Sequence, residues 1–590
     1  MIDPYKMVFV NVIASCLVLL GIIAYRLLYP KKKINLFILL LFISILPIIS
    51  IFRAGTYESG DFNIHIYRIM AFYDSLLEGH FMPSWAGELN ATYGNPLFIF
   101  NYSLPYYFVS LFHFIGASFI ASMKIYLALN MYLSGVFMYM FVRKLTNNQL
   151  AAFTSAIFYL FNPYHLIDVH FRTTLGESTI FTLVPLLLFF ITSYFDNRNL
   201  IYLASTALVT QLLFLAHPMI AGIFLIISAL FAFLLTSTRK KVKNLILVLI
   251  SLFVGAVASI YSWISFLIYS SYIFPNPGKS IFQDTFSNIF YSPWRLGLLF
   301  QGPNGEMAPI IGYTQVFVVI IIIVILIKGR VSKILRPHFV FWLLVLFSVL
   351  FFMSPFSKII WDSLPFFSML QSHRLLLPIT LSTSVLAGYL ALAFFKTKNK
   401  KVFIYLLLLI TIGYTILNWG HRRLIPEIND SVLRKSVWIS TVTEGTTAYF
   451  LNNRWADINN FWFSKIPNHH LEIIQGKGTI KEIKRTSTQH NYLVYAQTPI
   501  VVKENTLYYP GWNLKSNYNN ISIYPGERGI INAKLPNGIQ HIELVYEDIF
   551  PYKITKIVSV ATFITLIILL IYTLLYRRLT GKPQHFSRHL

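Results

Sequence analysis

Residues 57–108 contain the side chains of this chain that are best suited to chemistry. They follow an apolar stretch that is long enough to cross a bilayer. Asp61, His65 and Arg68 are spaced so that they would share one face of a helix. A carboxylate there could act as a general base, and a guanidinium could hold a phosphate group. The same spacing also fits a structural role, in which Asp61 caps a helix after Gly60 and pairs with His65 or Arg68.

The composition indicates that most of the chain lies in lipid. Of its 590 residues, 56% are hydrophobic and 12% are charged, about half the charged fraction of a soluble domain. We therefore predict a polytopic α-helical membrane protein with about 13 transmembrane helices. The predicted spans are 7–29, 34–52, 119–142, 150–162, 177–195, 200–215, 219–236, 245–271, 309–328, 338–353, 374–395, 402–418 and 554–576.

The positions of the basic residues predict how the chain is oriented. Clusters of lysine and arginine fall on alternate connections between the predicted spans, and such clusters are typical of the cytoplasmic side. We expect a multi-pass cell-membrane protein with its N-terminus outside and its C-terminus in the cytoplasm. The net charge of +25 then reflects topology and contact with membrane lipids. Nucleic acid is not an expected partner, because no continuous basic surface is predicted.

The chain divides into three predicted parts. Residues 1–419 form a membrane module in which the long loop 53–118 contains the candidate chemistry. Residues 420–553 show alternating strand patterns separated by turn signals, which indicates an extracytoplasmic β-rich domain. Residues 554–590 are predicted to be a final transmembrane anchor and a basic cytoplasmic tail.

Several motifs resemble those of a known class of membrane enzymes. Gly60-Asp61 with His65 and Arg68, Pro83-Ser84-Trp85, Tyr93-Gly94-Asn95-Pro96 and Leu104-Pro105-Tyr106-Tyr107 resemble the first outer loop of GT-C glycosyltransferases. More narrowly, they resemble the bacterial membrane proteins labelled 6-pyruvoyl-tetrahydropterin-synthase-related. Asn162-Pro163-Tyr164-His165 with Arg172 and Glu177 resembles the second outer loop of that group, and Tyr508-Tyr509-Pro510-Gly511-Trp512 resembles the β domain of related proteins.

The resemblance implies a reaction and its participants. GT-C enzymes move a sugar from a polyprenyl-phosphate donor to an acceptor on the outer face of the membrane, here an envelope glycan, lipid or polymer. It implies Asp61 as the general base. The helix face that Asp61 would share with His65 and Arg68 predicts that His65 helps to fix the orientation of Asp61. The arginines expected to bind the donor phosphate are Arg68, Arg172, Arg295 and Arg374. Further expected substrate-binding residues are Glu58, Trp85, Tyr93, Tyr106, His165, Glu177 and His217.

The sequence leaves open whether the protein binds a metal ion. Many GT-C enzymes have two neighbouring acidic residues in the first loop, whereas here Glu58 lies three positions before Asp61. His165, Asp168, His170 and Arg172 are more typical of an ion-pair cluster than of a metal site, because no ligand geometry is fixed by their spacing. No metal ligand and no other cofactor is predicted.

Each of the other candidates also has a structural interpretation. Glu177 could favour the start of a helix through its charge, and His217 could make a core contact before Pro218. Trp85, Tyr93 and Tyr106 could be sugar-stacking platforms or core residues.

Two other functions fit a polytopic chain whose basic clusters are predicted to lie on the cytoplasmic side. One is a flippase or transporter of lipid-linked oligosaccharides, although such proteins usually show half-repeats and polar residues near the midplane. The other is a non-catalytic membrane protein of envelope assembly.

Overall fold

The structure of the chain is a computed structural model. It describes residues 5–32, 34–239, 241–273, 298–302, 306–363, 370–394, 398–420, 422–435, 453–456, 463, 465–517 and 519–580.

A helix lies at the position of every predicted span. Over the described ranges, eight helices are long and apolar enough to cross a membrane, and a bent pair at 149–172 would be a ninth. Four further apolar helices are shorter, so the exact number of 13 spans stays a prediction. The helices are Tyr5–Leu28, Leu36–Ile45, Phe119–Thr146, Gln149–Leu160, Leu175–Asn197, Leu200–Ala216, Pro218–Arg239, Val242–Ala258, Tyr313–Ile327, Arg336–Met353, Leu376–Phe394, Lys398–Gly413 and Phe550–Thr580.

The helix Leu175–Asn197 lies at the centre of the bundle. It packs against Phe119–Thr146 on one side and against Leu200–Ala216 on another. Its neighbours are tied to it by polar contacts, such as the 2.8 Å hydrogen bond that the Thr182 hydroxyl donates to the Asn130 side chain. The N-terminal helix Tyr5–Leu28, by contrast, is largely exposed, as expected for a helix that faces lipid.

The expected span 245–271 is interrupted in the structure. Its helix ends at Ala258 and is followed by two short turns, Ile260–Trp263 and Ser265–Ile268. The hydroxyl groups of Ser259 and Ser262 donate hydrogen bonds to nearby backbone carbonyls. Such bonds compete with the regular helical ones, which gives a local reason for the break.

The residues that follow Gln149–Leu160 form two further helical turns. Pro163–Ile167 is a short helix that continues into a π-helical turn at Asp168–Arg172, and both are buried. The chain bends by 46° after Gln149–Leu160, because Pro163 lacks the N–H needed to continue that helix. The Asn162 side chain caps the new helix by accepting a hydrogen bond from Tyr164 N.

The long loop 53–118, here called the first loop, is partly helical. It contains the helices Phe62–Leu77, Leu97–Phe100 and Leu104–Phe114. The last of these packs against Phe119–Thr146. Thr56–Tyr57 pairs in antiparallel fashion with Leu424–Ile425, so the start of the first loop is attached to the chain that follows the membrane module.

Two antiparallel sheets form a β region near the C-terminus. One has four strands and the other has five, and both contribute to a single hydrophobic cluster. All of these strands lie within the predicted domain 420–553, whose exact limits stay a prediction. The strands are Leu471–Gln475, Gly478–Arg485, Gln489–Ala496, Ile500–Leu507, Trp512–Ser516, Asn519–Ile521, Ile523–Pro525, Ile530–Leu535 and Gly538–Tyr546. The final helix Phe550–Thr580 follows them, and the basic tail beyond it lies outside the described residues.

Candidate functional site

Asp61 is positioned by backbone contacts between two segments that are far apart in sequence. The backbone N–H groups of Gly60 and Asp61 donate hydrogen bonds of 2.8 Å to the carbonyl oxygens of Phe171 and Arg172. The start of helix Phe62–Leu77 is thereby attached to the π-helical turn at Asp168–Arg172. Turns of this kind occur frequently at functional sites.

The Asp61 side chain does not cap the helix that follows it. Helix Phe62–Leu77 begins directly after Asp61, yet the Asp61 carboxylate makes no capping hydrogen bond. Ser59 caps instead, since its Oγ accepts a 3.1 Å hydrogen bond from Phe62 N. The structural role considered above, in which Asp61 caps the helix and pairs with His65 or Arg68, is therefore not observed.

The environment of Asp61 makes its carboxylate more basic. Burial raises the pKa of Asp61 above its ordinary value, and the positive charges of Arg172, Arg68 and Arg374 oppose that increase. The carboxylate has no hydrogen-bond or salt-bridge partner in the part of the chain that the structure describes. A carboxylate with a raised pKa and no committed partner is suited to accepting a proton.

A buried acid–arginine cluster, here called the Glu177 cluster, lies beside Asp61. Arg172 donates to Glu177 from both terminal nitrogens, at 3.0 and 2.8 Å, and to Asp168 at 2.6 Å. Tyr164 donates its hydroxyl to Glu177 at 2.6 Å. Arg374, which is 197 positions from Glu177 in sequence, donates to Glu177 from its Nε at 3.1 Å. Glu177 is thus bound by two arginines from different segments.

The four arginines predicted to bind phosphate differ in how much donor capacity remains. Both terminal nitrogens of Arg172 donate to Glu177, and one of them also donates to Asp168. The Arg172 side chain is buried. Arg374 uses only its Nε among the described contacts, and 21% of its side chain is exposed. Arg68 is half-buried and interacts with the Tyr106 hydroxyl. Arg295 lies outside the described residues.

His65 is buried and contacts two tyrosines. Its Nδ1 lies 3.1 Å from the Tyr106 hydroxyl and its Nε2 lies 3.2 Å from the Tyr102 hydroxyl. Burial, with smaller effects of Arg68 and Arg172, lowers the pKa of His65 well below its ordinary value. The imidazole is therefore neutral and is bonded to tyrosines, while its predicted catalytic role stays a prediction.

The aromatic residues expected to stack on sugar are buried in this structure. Trp85 is 1% exposed, with its ring centroid 5.3 Å from that of Trp512 and 5.4 Å from that of Tyr546. Tyr93 stacks on Phe463 with a centroid distance of 3.7 Å. Trp85 and Tyr93 therefore attach the first loop to the β region, and Tyr106 is enclosed beside His65. Their ring faces are not open to a sugar.

Of the remaining predicted substrate-binding residues, His217 lies close enough to Arg374, Glu177 and Arg172 to interact with them electrostatically. His165 stacks on Phe181 and bonds to the Tyr159 carbonyl through Nδ1. His217 is buried, with its ring centroid 5.8 Å from that of Tyr102. Glu58 has an exposed side chain, and its backbone bonds to Arg422 and Arg423. The charge of Glu177 acts electrostatically on the Asp61 carboxylate.

Two tyrosines of the site were not singled out from the sequence. Tyr164 bonds to both Glu177 and Arg172, and Tyr102 bonds to His65. Tyr164 belongs to the motif Asn162-Pro163-Tyr164-His165, and Tyr102 lies two residues before the motif that begins at Leu104. Their position in or beside these motifs could have indicated them. Within the part of the chain that the structure describes, no group of three potential metal-binding side chains occurs.

Comparison with known protein families identifies the membrane module. The profile of the 6-pyruvoyl-tetrahydropterin synthase related domain, described as a membrane protein, matches residues 99–421, which is more than half of the chain. The chain belongs to this family. The matched region includes Tyr102, Arg172, Glu177 and Arg374 of this family member, whereas Asp61 and the β region lie outside it.

The family member is also similar to several individual proteins. It is 23% identical over 175 residues to an uncharacterized protein of Lactococcus lactis subsp. cremoris (strain MG1363), a match that covers 29% of this chain and 28% of that protein. The chain thus spans well under two thirds of this relative.

The solved structures to which this chain is similar include two transferases. Arabinofuranosyltransferase AftD from Mycobacteria is 14% identical, with 65% of this chain and 27% of that chain covered and a TM-score of 0.40. The Archaeoglobus fulgidus oligosaccharyltransferase is 18% identical, with 65% and 52% covered and a TM-score of 0.39.

Proposed function

We propose that this family member is a GT-C type membrane glycosyltransferase. It transfers a sugar from a polyprenyl-phosphate donor to an envelope glycan, lipid or polymer acceptor on the outer face of the membrane, with Asp61 as the general base. The observation that carries the proposal is the Asp61 carboxylate, which starts a helix without capping it and has no partner among the described residues. Its proximity to several arginines supplies the cations that such a reaction needs.

Arg374 is the best candidate for holding the donor phosphate. Its Nε is held by Glu177, which fixes the guanidinium, and its terminal nitrogens donate no hydrogen bond to the residues described. A guanidinium can meet phosphate oxygens with two parallel hydrogen bonds. Arg172 is then a positioning residue, since its contacts hold Glu177 and through it Arg374.

An apolar groove beside Arg374 supports a donor that is anchored in lipid. The groove has a volume of about 780 Å³ and lies between the helices Pro218–Arg239 and Arg336–Met353. Leu375, the residue after Arg374, lines it together with Trp361. An isoprenoid chain in this groove would bring its phosphate to Arg374 from within the bilayer.

The proposed step is a single displacement. The acceptor hydroxyl loses its proton to the Asp61 carboxylate as its oxygen forms a bond to the anomeric carbon of the sugar. The bond between that carbon and the phosphate oxygen breaks, and polyprenyl phosphate leaves with its negative charge held by Arg374. Inversion at the anomeric carbon is the expected outcome.

The substitution Asp61→Asn tests the base. Asparagine keeps the shape of the side chain but cannot accept the proton, so transfer should fall by about two to four orders of magnitude while the protein still folds. The measurement is sugar transfer by the full chain in membranes, together with mass spectrometry of envelope lipids and glycans from a strain that carries the variant.

Asp74→Asn is the matched control for this experiment. Asp74 lies on the same helix and forms a partly exposed ion pair with Arg434.

Near-wild-type transfer by a well-expressed Asp61→Asn protein would refute the proposed base and favour an assembly protein. If the wild-type protein forms no transfer product, and the variant loses transport of lipid-linked sugar, a flippase would be favoured.

A further inference from the structure

A second cavity lies at the end of the bundle opposite Asp61. It has a volume of about 590 Å³ and is lined by the ends of several helices. Its polar wall contains Arg143 and Asp196, and Asp196 lies on the same helix as Glu177. Nineteen helical residues rise by about 28 Å, close to the hydrocarbon thickness of a bilayer. The cavity is therefore separate from the candidate active site and lies near the other membrane surface.

Among the described residues that line this cavity, Lys144 and Arg143 differ in how they are paired. Lys144 forms a salt bridge of 3.1 Å with Asp196. Arg143, on the last turn of helix Phe119–Thr146, forms no salt bridge with any carboxylate in the described ranges. Arg143 is half-buried, so its guanidinium is held at the cavity wall and is still accessible to an anion.

The other walls of the cavity are apolar and aromatic. Phe37, Met140 and Phe189 line it together with Tyr139, whose ring is 4.8 Å from that of Phe37. A small hydrated anion gains no binding free energy from such walls. An amphipathic molecule gains binding free energy from the polar wall and from the apolar walls, because its charged group can reach Arg143 while its hydrocarbon packs against the aromatic side chains.

We propose that this cavity binds the phosphate headgroup of an anionic phospholipid. Arg143 contacts the phosphate, Asn147 and Gln149 offer hydrogen bonds to the rest of the headgroup, and Phe37, Met140 and Phe189 contact the first part of the acyl chains. Basic pockets between transmembrane helices are suited to anionic headgroups, and each nearby cation contributes about 1 kcal/mol. This proposal does not depend on the transferase activity proposed above.

The experiment uses the full chain in detergent micelles that contain phosphatidylglycerol or phosphatidylcholine. Retained lipid is counted by native mass spectrometry. The wild-type protein should prefer phosphatidylglycerol, and Arg143→Gln should reduce that preference about five-fold. Arg330→Gln is the matched control, since it removes one exposed positive charge at the same end of the bundle but does not line the cavity. Its preference should be unchanged.

A second variant gives an effect of opposite sign. Asp196→Asn removes the acidic group of the cavity, so retention of phosphatidylglycerol should increase. Equal losses in Arg143→Gln and Arg330→Gln would show bulk electrostatic attraction and overturn the proposal. Arg143-dependent binding of inorganic phosphate that displaces phosphatidylglycerol would also overturn it, because the site would then be one for a free anion.

Discussion

Two buried acid–arginine clusters in this protein differ in how completely their donors are used. In the β region, one carboxylate oxygen of Glu504 accepts hydrogen bonds from Arg485 at 2.6 Å, His490 at 2.9 Å and Tyr492 at 2.8 Å. Arg485 also donates to the Thr92 carbonyl and to the Thr506 hydroxyl. In the Glu177 cluster, Arg374 donates only from its Nε among the described contacts.

The difference separates a structural role from a candidate functional one. Buried polar groups normally find partners, because leaving them unpaired is costly. Arg485 follows that rule, because both of its terminal nitrogens donate hydrogen bonds. Its bond to the Thr92 carbonyl attaches the first loop to the β region. Beside Glu177, the Asp61 carboxylate and the terminal nitrogens of Arg374 have no hydrogen-bond partner among the described residues. A substrate with a hydroxyl and a phosphate could bond to them.

The largest effect on stability is expected for Glu177→Gln. Removing this carboxylate leaves the charges of Arg172 and Arg374 without their shared counterion, which should lower the free energy of unfolding by about 3–5 kcal/mol. Thermal unfolding in detergent measures this loss. Glu504→Gln is the matched variant in the β region and should cost a similar amount. A Glu177→Gln protein as stable as the wild type would contradict the pairing described here.

A smaller effect, on transfer and not on stability, is expected for Arg374→Lys. An ammonium keeps the charge but cannot form the paired hydrogen bonds of a guanidinium, so transfer should fall about ten-fold or more. Arg172→Lys should instead lower the unfolding temperature, because Arg172 is engaged in the Glu177 cluster. Unchanged transfer kinetics in Arg374→Lys would remove Arg374 from the donor site.

The β region should lose stability as the pH falls below about 6.5. Burial lowers the pKa of His490 in the folded protein, whereas an unfolded histidine has a pKa of about 6.5. The unfolded state therefore binds more protons, and stability decreases as the pH falls from that value through the folded pKa. Hydrogen exchange of strand Gln489–Ala496 at pH 7 and pH 5, corrected for intrinsic rates, measures this change. His490→Gln should flatten the pH dependence, and an equally steep dependence in that variant would contradict its origin in His490.

The pKa of Glu504 does not contribute in the same pH window. His490 and Arg485 hold the pKa of Glu504 well below its ordinary value, although burial alone would raise it. The stability that this carboxylate contributes is present above the unfolded pKa of about 4.3 and is lost only at lower pH.

The smallest effect is expected for Asp74→Asn. Asp74 and Arg434 form a close ion pair of 2.6 Å, but both side chains are partly exposed. Exposed pairs contribute about 0–1 kcal/mol, so thermal unfolding should change by little and transfer should not change. A loss of several kcal/mol would show that this pair is more important to the first loop than its exposure indicates.

The placement of the apolar helices was predictable from the sequence, because lipid demands long apolar segments whatever the tertiary arrangement. The break after Ala258 and the bend at Pro163 were harder to predict. Both depend on local backbone hydrogen bonds that hydropathy does not register. The tail beyond the final helix and Arg295 lie outside the described residues, and the predictions for them stay as they were.

The sequence by itself determined the membrane class, the family motifs and the position of Asp61 at the start of a helix. Only the tertiary structure decided which charges meet. Glu177 and Arg374 are 197 positions apart, and no spacing rule connects residues on different helices. Likewise, Trp85 and Tyr93 have the appearance of a binding platform in sequence, yet the β region covers them in the fold. Local periodicity reports which side of one helix a residue occupies, whereas pairing of buried charges depends on how distant segments pack.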